Sequence, residues 1–151
     1  MKKVLLLLPL LLLCSCSHNQ VKVLVNSISM GGTGDNYSVS PAKVEVTIKN
    51  DSTVTIPITI NNNDSQDNTY QLKVVEPLQS ELIQGYTAYP VKGIGTFFSQ
   101  DTINIKGGTS GTVYFYIAKV DKITDTQLWV NVSVESGQQI TSAYIVNILI
   151  K

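Results

Sequence analysis

The sequence predicts an all-β domain built as a sandwich of two antiparallel sheets with seven or eight strands. Apolar residues alternate with polar ones through most of the chain, which is the pattern of strands with one buried face. Clusters of Gly, Asn, Asp and Ser separate the alternating segments, as turns between strands require. No segment after the N-terminus shows a helical period. Strands at this spacing in about 130 residues favour a sandwich.

The alternating segments begin just after residue 20. Their inward positions are Val21, Val23 and Val25; Val44, Val46 and Ile48; Val54, Ile56, Ile58 and Ile60; Tyr70, Leu72 and Val74; Ile103 and Ile105; Val113, Phe115 and Ile117; Leu128, Val130, Val132 and Val134; and Tyr144, Val146, Ile148 and Ile150. Turn residues fill segments 31–36, 61–68, 106–111 and 136–138. Pro57, inside one segment, predicts an edge position or a bulge because it cannot donate to a ladder.

The N-terminus carries a different signal. Lys2 and Lys3 precede residues 4–13, which are all apolar except for Pro9. This run is half the ~20 residues that a membrane-spanning helix needs. It fits the apolar region of a secretory signal peptide, whereas Pro9 and the lack of a polar face disfavour a buried core helix.

The run ends in Leu13-Cys14-Ser15-Cys16, which resembles the lipobox of bacterial lipoproteins. Cys16 matches well, since Ser15 precedes it and Leu13 stands three positions back. Cys14 matches less well because bulky Leu13 lies directly before it, and a disulfide between the two cysteines is disfavoured by their spacing. The resemblance implies a signal peptide over residues 1–15, a lipid-anchored tether over 16–20 and a domain over 21–151.

The lipobox resemblance also implies a location outside the cytoplasm. Lipoproteins of this kind carry two or three acyl chains, such as palmitate, and two chains anchor a protein stably in a membrane. Ser17 rather than Asp follows Cys16, which implies the outer membrane in a Gram-negative cell and otherwise the outer face of the cell membrane. The tether reaches at most ~14 Å, so the domain is expected close to the bilayer.

Segments 40–44, 54–62 and 67–74 resemble the immunoglobulin-like modules of bacterial and archaeal cell envelopes. Residues 101–105, 106–110 and 112–117 resemble the hairpin that follows in those modules. Phe97 and Phe98 stand where many members have a Trp. The resemblance covers residues 40–117 and implies an immunoglobulin-like sandwich with a structural or adhesive role in the envelope.

Composition disfavours nucleic-acid binding and catalysis. Arginine is absent, and nine lysines face eleven acids once Lys2 and Lys3 are removed, so no basic surface is expected. The single histidine, His18, lies in the tether, so the domain can build neither a Ser-His-Asp triad nor a zinc site. A pair of carboxylates for glycoside hydrolysis is the enzymatic alternative, but the acids scatter among lysines as on a solvated surface. The sequence predicts no enzyme and no cofactor.

Calcium is the one metal that the sequence could accommodate. Asn61, Asn63, Asp64 and Asp67 offer oxygen ligands within one loop. Their spacing does not match an EF-hand, and the same residues commonly build turns. We therefore favour turn chemistry and predict no metal.

Several aromatic residues fall out of phase with the predicted core. Trp129 alternates with the inward Leu128 and Val130, and a hairpin of segments 127–134 and 140–150 would place it near Ile145 and Leu149. Such a face is either exposed, as a binding surface for a protein or a glycan, or covered by a loop such as residues 77–98. Both alternatives stay open for Trp129.

Tyr114 and Tyr116 are likewise out of phase with Val113 and Phe115, and for them we favour the covered alternative. Tyr86, Tyr89, Phe97 and Phe98 fall in the long 77–98 segment, where we expect them to pack the loop itself.

The sequence as a whole predicts a non-enzymatic envelope lipoprotein that uses its domain for protein interaction or for structural and adhesive support. The alternative is a carbohydrate-binding module that uses Trp129, Tyr114 and Tyr116.

Overall fold

The computed structural model describes residues 20–25, 36–49, 51–76, 84–121, 127–137 and 143–150. The predicted signal peptide, Cys14, Cys16, nearly all of the tether and the glycines at 31–34 lie outside these residues, so those expectations stay predictions. Within the described part of the chain, no helix has the length and apolar character needed to cross a bilayer.

Every alternating segment of the sequence forms a strand, and three further strands join them. The strands are β1 (Gln20–Val25), β2 (Tyr37–Ser40), β3 (Lys43–Thr47), β4 (Ser52–Asn62), β5 (Asn68–Val75), β6 (Thr87–Ala88), β7 (Ile94–Phe98), β8 (Thr102–Ile105), β9 (Ser110–Lys119), β10 (Leu128–Ser136) and β11 (Ala143–Ile150). The predicted count of seven or eight is therefore wrong. Strand β6 was missed because two residues are too few for a periodicity to stand out. Strands β2 and β7 were missed although they are as long as the predicted β8 and β3, and in β7 the adjacent Phe97 and Phe98 hide the alternation.

The larger of two sheets has the order β1-β3-β11-β10-β5-β8, and β6 also pairs with β10. The sheet is mixed, which corrects the expectation of antiparallel pairing throughout: β3 lies parallel to β11, and β6 lies parallel to β10. The first parallel pair arises because the chain leaves the smaller sheet after β2, crosses at the cis Ser40–Pro41 peptide and enters the larger sheet as β3.

The smaller sheet has the order β2-β4-β9-β7. Pro57 lies in β4, which is a central strand, and the β4–β9 register runs through it without a bulge. The pairing of β2 with β4 ends at Thr59. Pro57 therefore lies where β4 has no partner on that side, so its missing N–H leaves no gap in a ladder. This is the local edge position that the sequence predicts.

One apolar cluster lies between the sheets and draws on both. Its fully buried members include Ile56, Ile58, Ile60, Val113, Phe115 and Ile117 from the smaller sheet and Val44, Tyr70, Val130, Val132, Val134, Val146 and Ile148 from the larger one. Because these side chains alternate along each strand, the intervening residues stand on the outer faces of the two sheets. The outer face of the smaller sheet is the more open of the two, because Trp129, Ser133 and Leu149 on the larger sheet are buried.

Candidate interaction surface

The outer face of the smaller sheet consists of uncharged side chains, and we call it the neutral face. Its members are Ser38 and Ser40 from β2; Thr53, Thr55, Pro57, Thr59 and Asn61 from β4; Ser110, Thr112, Tyr114, Tyr116 and Ala118 from β9; and Gly95 and Phe97 from β7. Thr53, Thr55, Pro57 and Thr112 are exposed, so the middle of this face is open to solvent.

Three rings at one side of the neutral face form the aromatic cluster, which comprises Phe97, Tyr114 and Tyr116. Phe97 and Tyr114 are 53% and 46% exposed, the highest values among the aromatic side chains that the structure describes. Phe97 pairs with Tyr116 across β7 and β9, and the two rings stack with centroids 4.6 Å apart and planes inclined by 14°. The expectation that a loop covers the tyrosines is therefore wrong for Tyr114, while Tyr116 is half-buried under its neighbours.

Backbone contacts hold the aromatic cluster in place. Beyond the end of β7, the Ser99 N–H donates to the Tyr114 carbonyl at 2.8 Å, and the Tyr114 N–H donates to Ser99 Oγ at 3.0 Å. On the inner side, Phe98 packs against Phe115 with ring centroids 4.8 Å apart. These contacts extend the β7–β9 pairing past its last residue and fix the direction in which Phe97 projects.

Polar side chains that hydrogen-bond in two separate groups occupy the other half of the neutral face, and we call them the polar row. Ser110 Oγ donates to Asn61 Oδ1 at 2.6 Å, and Asn61 Nδ2 donates to Ser38 Oγ at 3.0 Å. The Thr59 and Thr112 hydroxyls lie 3.1 Å apart, within hydrogen-bonding distance. Each hydroxyl keeps spare donor or acceptor capacity. The row therefore offers polar groups beside the rings without offering charge.

The outer face of the larger sheet differs from the neutral face in both charge and burial. Lys73 Nζ lies 2.8 Å from Glu135 Oε1, and Ser133 Oγ donates to the same carboxylate at 3.1 Å. The hydrogen bond from Lys73 holds the pKa of Glu135 below its ordinary value. Burial opposes this shift, and the Ser133 hydroxyl and the charge of Lys73 add smaller lowering effects. Lys43 and Glu45 on β3 add further charges to this face.

The predicted surface around Trp129 lies on this charged side and is not exposed. The register pairs Trp129 with Leu149, so these two residues share a face as predicted. Ile145 lies on the same face but opposite Ser133, four residues along β10 from Trp129, so the expected closeness of Trp129 and Ile145 is wrong. However, Trp129 and Leu149 are only 4% and 3% exposed, and Ile145 is half-buried. We therefore correct the expectation that Trp129 is free to contact a ligand, since a buried indole has no face to offer.

The side chains that could offer oxygen ligands to calcium are engaged in hydrogen bonds within turns. Asp64 Oδ1 accepts from the Ser65 N–H at 2.6 Å, and its Oδ2 accepts from Asn36 at 3.0 Å. Asp67 Oδ1 accepts from the Gly107 N–H at 3.1 Å, while Asn61 belongs to the polar row.

The backbone N–H of Asn63 donates to the Asn36 carbonyl at 2.8 Å, which ties this loop to the chain before β2. Within the described ranges, no group of three or more His, Cys, Asp or Glu residues comes together as a metal site. The loop geometry is that of turn chemistry.

A shallow cleft of about 220 Å³ lies where β10 changes partner from β5 to β6. Val74, Val75, Glu76, Tyr89 and Pro90 line it. Glu76 is the one carboxylate in this lining. The cleft therefore does not offer the pair of acids that hydrolysis through two carboxylates requires.

Phe97 is the member of the surface that sequence reasoning missed. The sequence pattern assigns Phe97 to the packing of the 77–98 loop, because that segment lacks a long alternation of apolar and polar residues. A short one exists at the end of that segment, where Ile94, Thr96 and Phe98 point inward and Phe97 points outward. Its pairing with the out-of-phase Tyr116 depends on the strand register, which the sequence alone does not give.

The fold has counterparts among solved structures. Neither a protein-family model nor a curated protein matches the chain. A presumed carbohydrate-binding protein from Bacteroides ovatus superposes with a TM-score of 0.56 at 12% identity over 72% of this chain and 34% of that one. A PapD-like domain of human CEP192 gives 0.53 at 8% identity over 77% and 84% of the two chains. The Escherichia coli chaperone DraB gives 0.53 at 10% identity over 76% and 54%.

Identities this low show the fold alone. The chain spans about a third of the Bacteroides protein and about half of DraB. It has an all-β fold of two sheets that is similar to PapD-like, immunoglobulin-like domains.

Proposed function

We propose that this chain is a non-enzymatic lipoprotein of the cell envelope whose immunoglobulin-like sandwich is an interaction module. The observation that carries the proposal is the aromatic cluster. Phe97 and Tyr114 stand about half exposed on a flat face without charge, although such rings are normally removed from water. Exposed and rigidly held aromatic rings are the groups that dominate the energetics of binding surfaces.

Lipid anchoring at Cys16 supplies the location in this proposal. The lipobox-like Leu13-Cys14-Ser15-Cys16 segment places the acyl chains four residues before β1, which begins at Gln20. A tether this short keeps the sandwich within ~14 Å of the membrane surface. The ligand of such a module belongs to the envelope, in the outer membrane of a Gram-negative cell or at the outer face of the cell membrane otherwise.

Two classes of ligand fit this role. A protein partner in the envelope agrees with the structural or adhesive character that the immunoglobulin-like resemblance implies. A carbohydrate is the second candidate, and the hydroxyl groups of Thr59, Thr112 and Ser110 beside the rings favour it specifically. In both cases Tyr114, Tyr116 and Phe97 form the contact surface, and Trp129 does not.

Anchoring is tested by labelling cells with radioactive palmitate. The wild-type chain and a Cys14→Ala variant should both incorporate label into the membrane fraction, whereas Cys16→Ala should lose it. Label retained in Cys16→Ala, or a wild-type product recovered from the cytoplasm, would contradict the proposal.

The contact surface is tested by placing a photo-crosslinking amino acid at Phe97 in living cells, with the same substitution at Lys73 as the matched control. Lys73 lies half-exposed on the opposite sheet. Position 97 should give adducts with envelope protein or glycan, and position 73 should not. Equal yields at the two positions would show that the neutral face has no special role.

A further inference from the structure

We infer that the neutral face binds an uncharged polysaccharide, with the aromatic cluster as the stacking surface and the polar row as the hydrogen-bonding surface. This inference rests on the proposed function, because it assigns a ligand class to the same face. It differs from the sequence-based carbohydrate alternative in its location, since Trp129 lies buried on the other sheet.

Charge is the first argument. Charged residues make up 15% of the chain, yet none of the outward side chains of β2, β4, β7 and β9 is charged, while the described outer face of the larger sheet carries Lys73 and Glu135. A sulfated or uronic-acid glycan would find no cation there, and a basic or acidic peptide would find no opposite charge. The complementary ligand is one that carries no charge itself.

The rings supply the second argument. A pyranose presents an apolar face of C–H groups, which packs on aromatic rings. Phe97 leaves its outer side to solvent because β7 is the edge strand of its sheet, and its inner side is held against Tyr116 by the 4.6 Å stack. The stack fixes the ring before binding, so little side-chain entropy is lost when a ligand arrives. Tyr114 lies two residues from Tyr116 on the same strand, ~7 Å away along it, which allows contact with a second sugar unit.

The polar row supplies the third argument. Thr112 lies two residues from Tyr114 on β9 and hydrogen-bonds with Thr59 at 3.1 Å. Further along the face, Ser110, Asn61 and Ser38 hydrogen-bond with one another at 2.6 and 3.0 Å. Hydroxyl groups and amides can donate and accept at once, which matches the mixed donor and acceptor character of sugar hydroxyls. A face that combines aromatic rings with neutral hydrogen-bonding groups fits a sugar chain laid across the strands of β9 and β4.

The inference is tested with the full lipoprotein purified in detergent. Its migration is measured in native gels that contain mannan, xylan or β-glucan as neutral probes, with alginate and heparin as charged controls. We expect retardation by at least one neutral polysaccharide and by neither charged one. Retardation should be the same at low and high salt, because no ion pair contributes.

Substitutions on and off the neutral face test whether this face binds the polysaccharide. Phe97→Ala and Tyr116→Ala should each weaken retardation about tenfold, the effect of losing one ring contact. Tyr114→Phe should keep most of it, because the ring is retained. Val120→Ser is the matched control, since Val120 is also an exposed apolar residue, 66% exposed, but lies beyond the end of β9. Unchanged urea midpoints confirm that each variant is folded.

Three outcomes would overturn the inference: no retardation by any neutral probe, retardation that survives the Phe97→Ala/Tyr116→Ala double variant, or binding that disappears at high salt. A protein adduct at position 97 without polysaccharide retardation would reject the glycan and leave the proposed function standing. If Cys16→Ala still incorporated palmitate, the proposed anchoring would be rejected, while the polysaccharide result in the gels would stand on its own.

Discussion

At the scale of single residues, Gly107 shows how one missing side chain permits the loop packing beside the neutral face. It lies in the turn between β8 and β9, and its N–H donates to Asp67 Oδ1 at 3.1 Å. A Cβ atom built on Gly107 would collide with the backbone carbonyl group of Ser65. The obstacle is backbone rather than a flexible side chain, so any relief requires the β4–β5 loop to move.

We therefore expect Gly107→Ala to destabilise the fold by about 2 kcal/mol, in the range of overpacked sites. The free energy of unfolding is measured by urea denaturation. Gly95→Ala is the control, because nothing lies within 4 Å of the Cβ it would add, and it should change stability by less than ~0.5 kcal/mol. If Gly107→Ala lowered the free energy of unfolding no more than Gly95→Ala does, the close approach of Ser65 to Gly107 would be relieved at no cost.

Residue-level patterns also show what the sequence could and could not predict. The phase of Trp129 was predicted correctly, since it lies on the outer face opposite Leu149, but its burial was not. Alternation tells which side of a strand a residue occupies. It does not tell what else packs on that side, because that depends on contacts between segments distant in sequence.

At the scale of strands, the long alternating segments were predictable, whereas β2, β6 and β7 were not. The Thr-Ile alternation of β4 fixes its buried side from sequence alone, and the structure buries Val54, Ile56, Ile58 and Ile60. The position of β2 in a different sheet from β3 was not predictable either. The two strands are separated only by Pro41 and Ala42, where the chain crosses from one sheet to the other. The aromatic cluster could not be predicted for the same reason, because its rings come from β7 and β9, which only the strand register brings together.

The pairing of β5 with β10 carries a testable electrostatic contribution. Lys73 and Glu135 lie diagonally across these strands, and their side chains are 49% and 35% exposed. Because the pair is largely solvated, its contribution to stability is screened, and we expect only about 0.5 kcal/mol at neutral pH.

The pKa of Glu135 is lowered from 4.5, so this contribution is fully present above pH 4.5 and is lost as the pH falls through the lower value in the folded state. Lys73→Met should therefore reduce stability near neutral pH and converge with the wild type in acid. Urea denaturation across this range measures the difference. If the difference in unfolding free energy between the wild type and Lys73→Met stayed constant down to the lowest pH, the effect would come from packing of the Lys73 side chain instead.

The β4–β5 loop carries the prediction about metals. Asn62, 1% exposed, organises it by donating to the Gln66 and Ile105 carbonyls at 2.8 and 3.0 Å and by accepting from the Asp64 N–H at 3.1 Å. Since the oxygens of Asp64 and Asp67 are used in the same network, calcium would have to break these bonds to bind.

We expect the melting temperature to change by less than ~1 °C on adding calcium or a chelator, because a ligand stabilises only the state that it binds. Asn62→Ala should destabilise the loop by about 2 kcal/mol, as buried carbonyls lose their donors. A calcium-dependent rise in the melting temperature of the wild type would contradict the turn assignment.

At the scale of the whole molecule, the packing of the two sheets makes stability sensitive to alkaline pH through Tyr70. This residue is fully buried between the sheets, where its ring packs against Tyr37 with centroids 5.0 Å apart. Tyr37 donates its hydroxyl to the Val134 carbonyl at 3.0 Å, whereas none of the described residues makes a hydrogen bond of good geometry with the Tyr70 hydroxyl. Burial raises the pKa of Tyr70 above 10.0, an effect that nearby Asn68 partly offsets and that the charge of Asp64 increases.

Because the pKa of Tyr70 is raised in the folded state, the unfolded chain loses this proton first as the pH rises. Folding stability is therefore unaffected by Tyr70 below pH 10 and falls above it by up to about 1.4 kcal/mol per pH unit until the folded-state pKa is passed. Tyr70→Phe should remove this part of the decline and leave stability at neutral pH unchanged or slightly higher, because no buried hydroxyl is then left unpaired. Tyr114→Phe, which removes an exposed hydroxyl, is the matched control. The measurement is the urea midpoint from about pH 9 to about pH 11. If the curves of Tyr70→Phe and the wild type run parallel through that range, the Tyr70 phenol ionises as readily inside the sandwich as outside it, and the core at this point admits water.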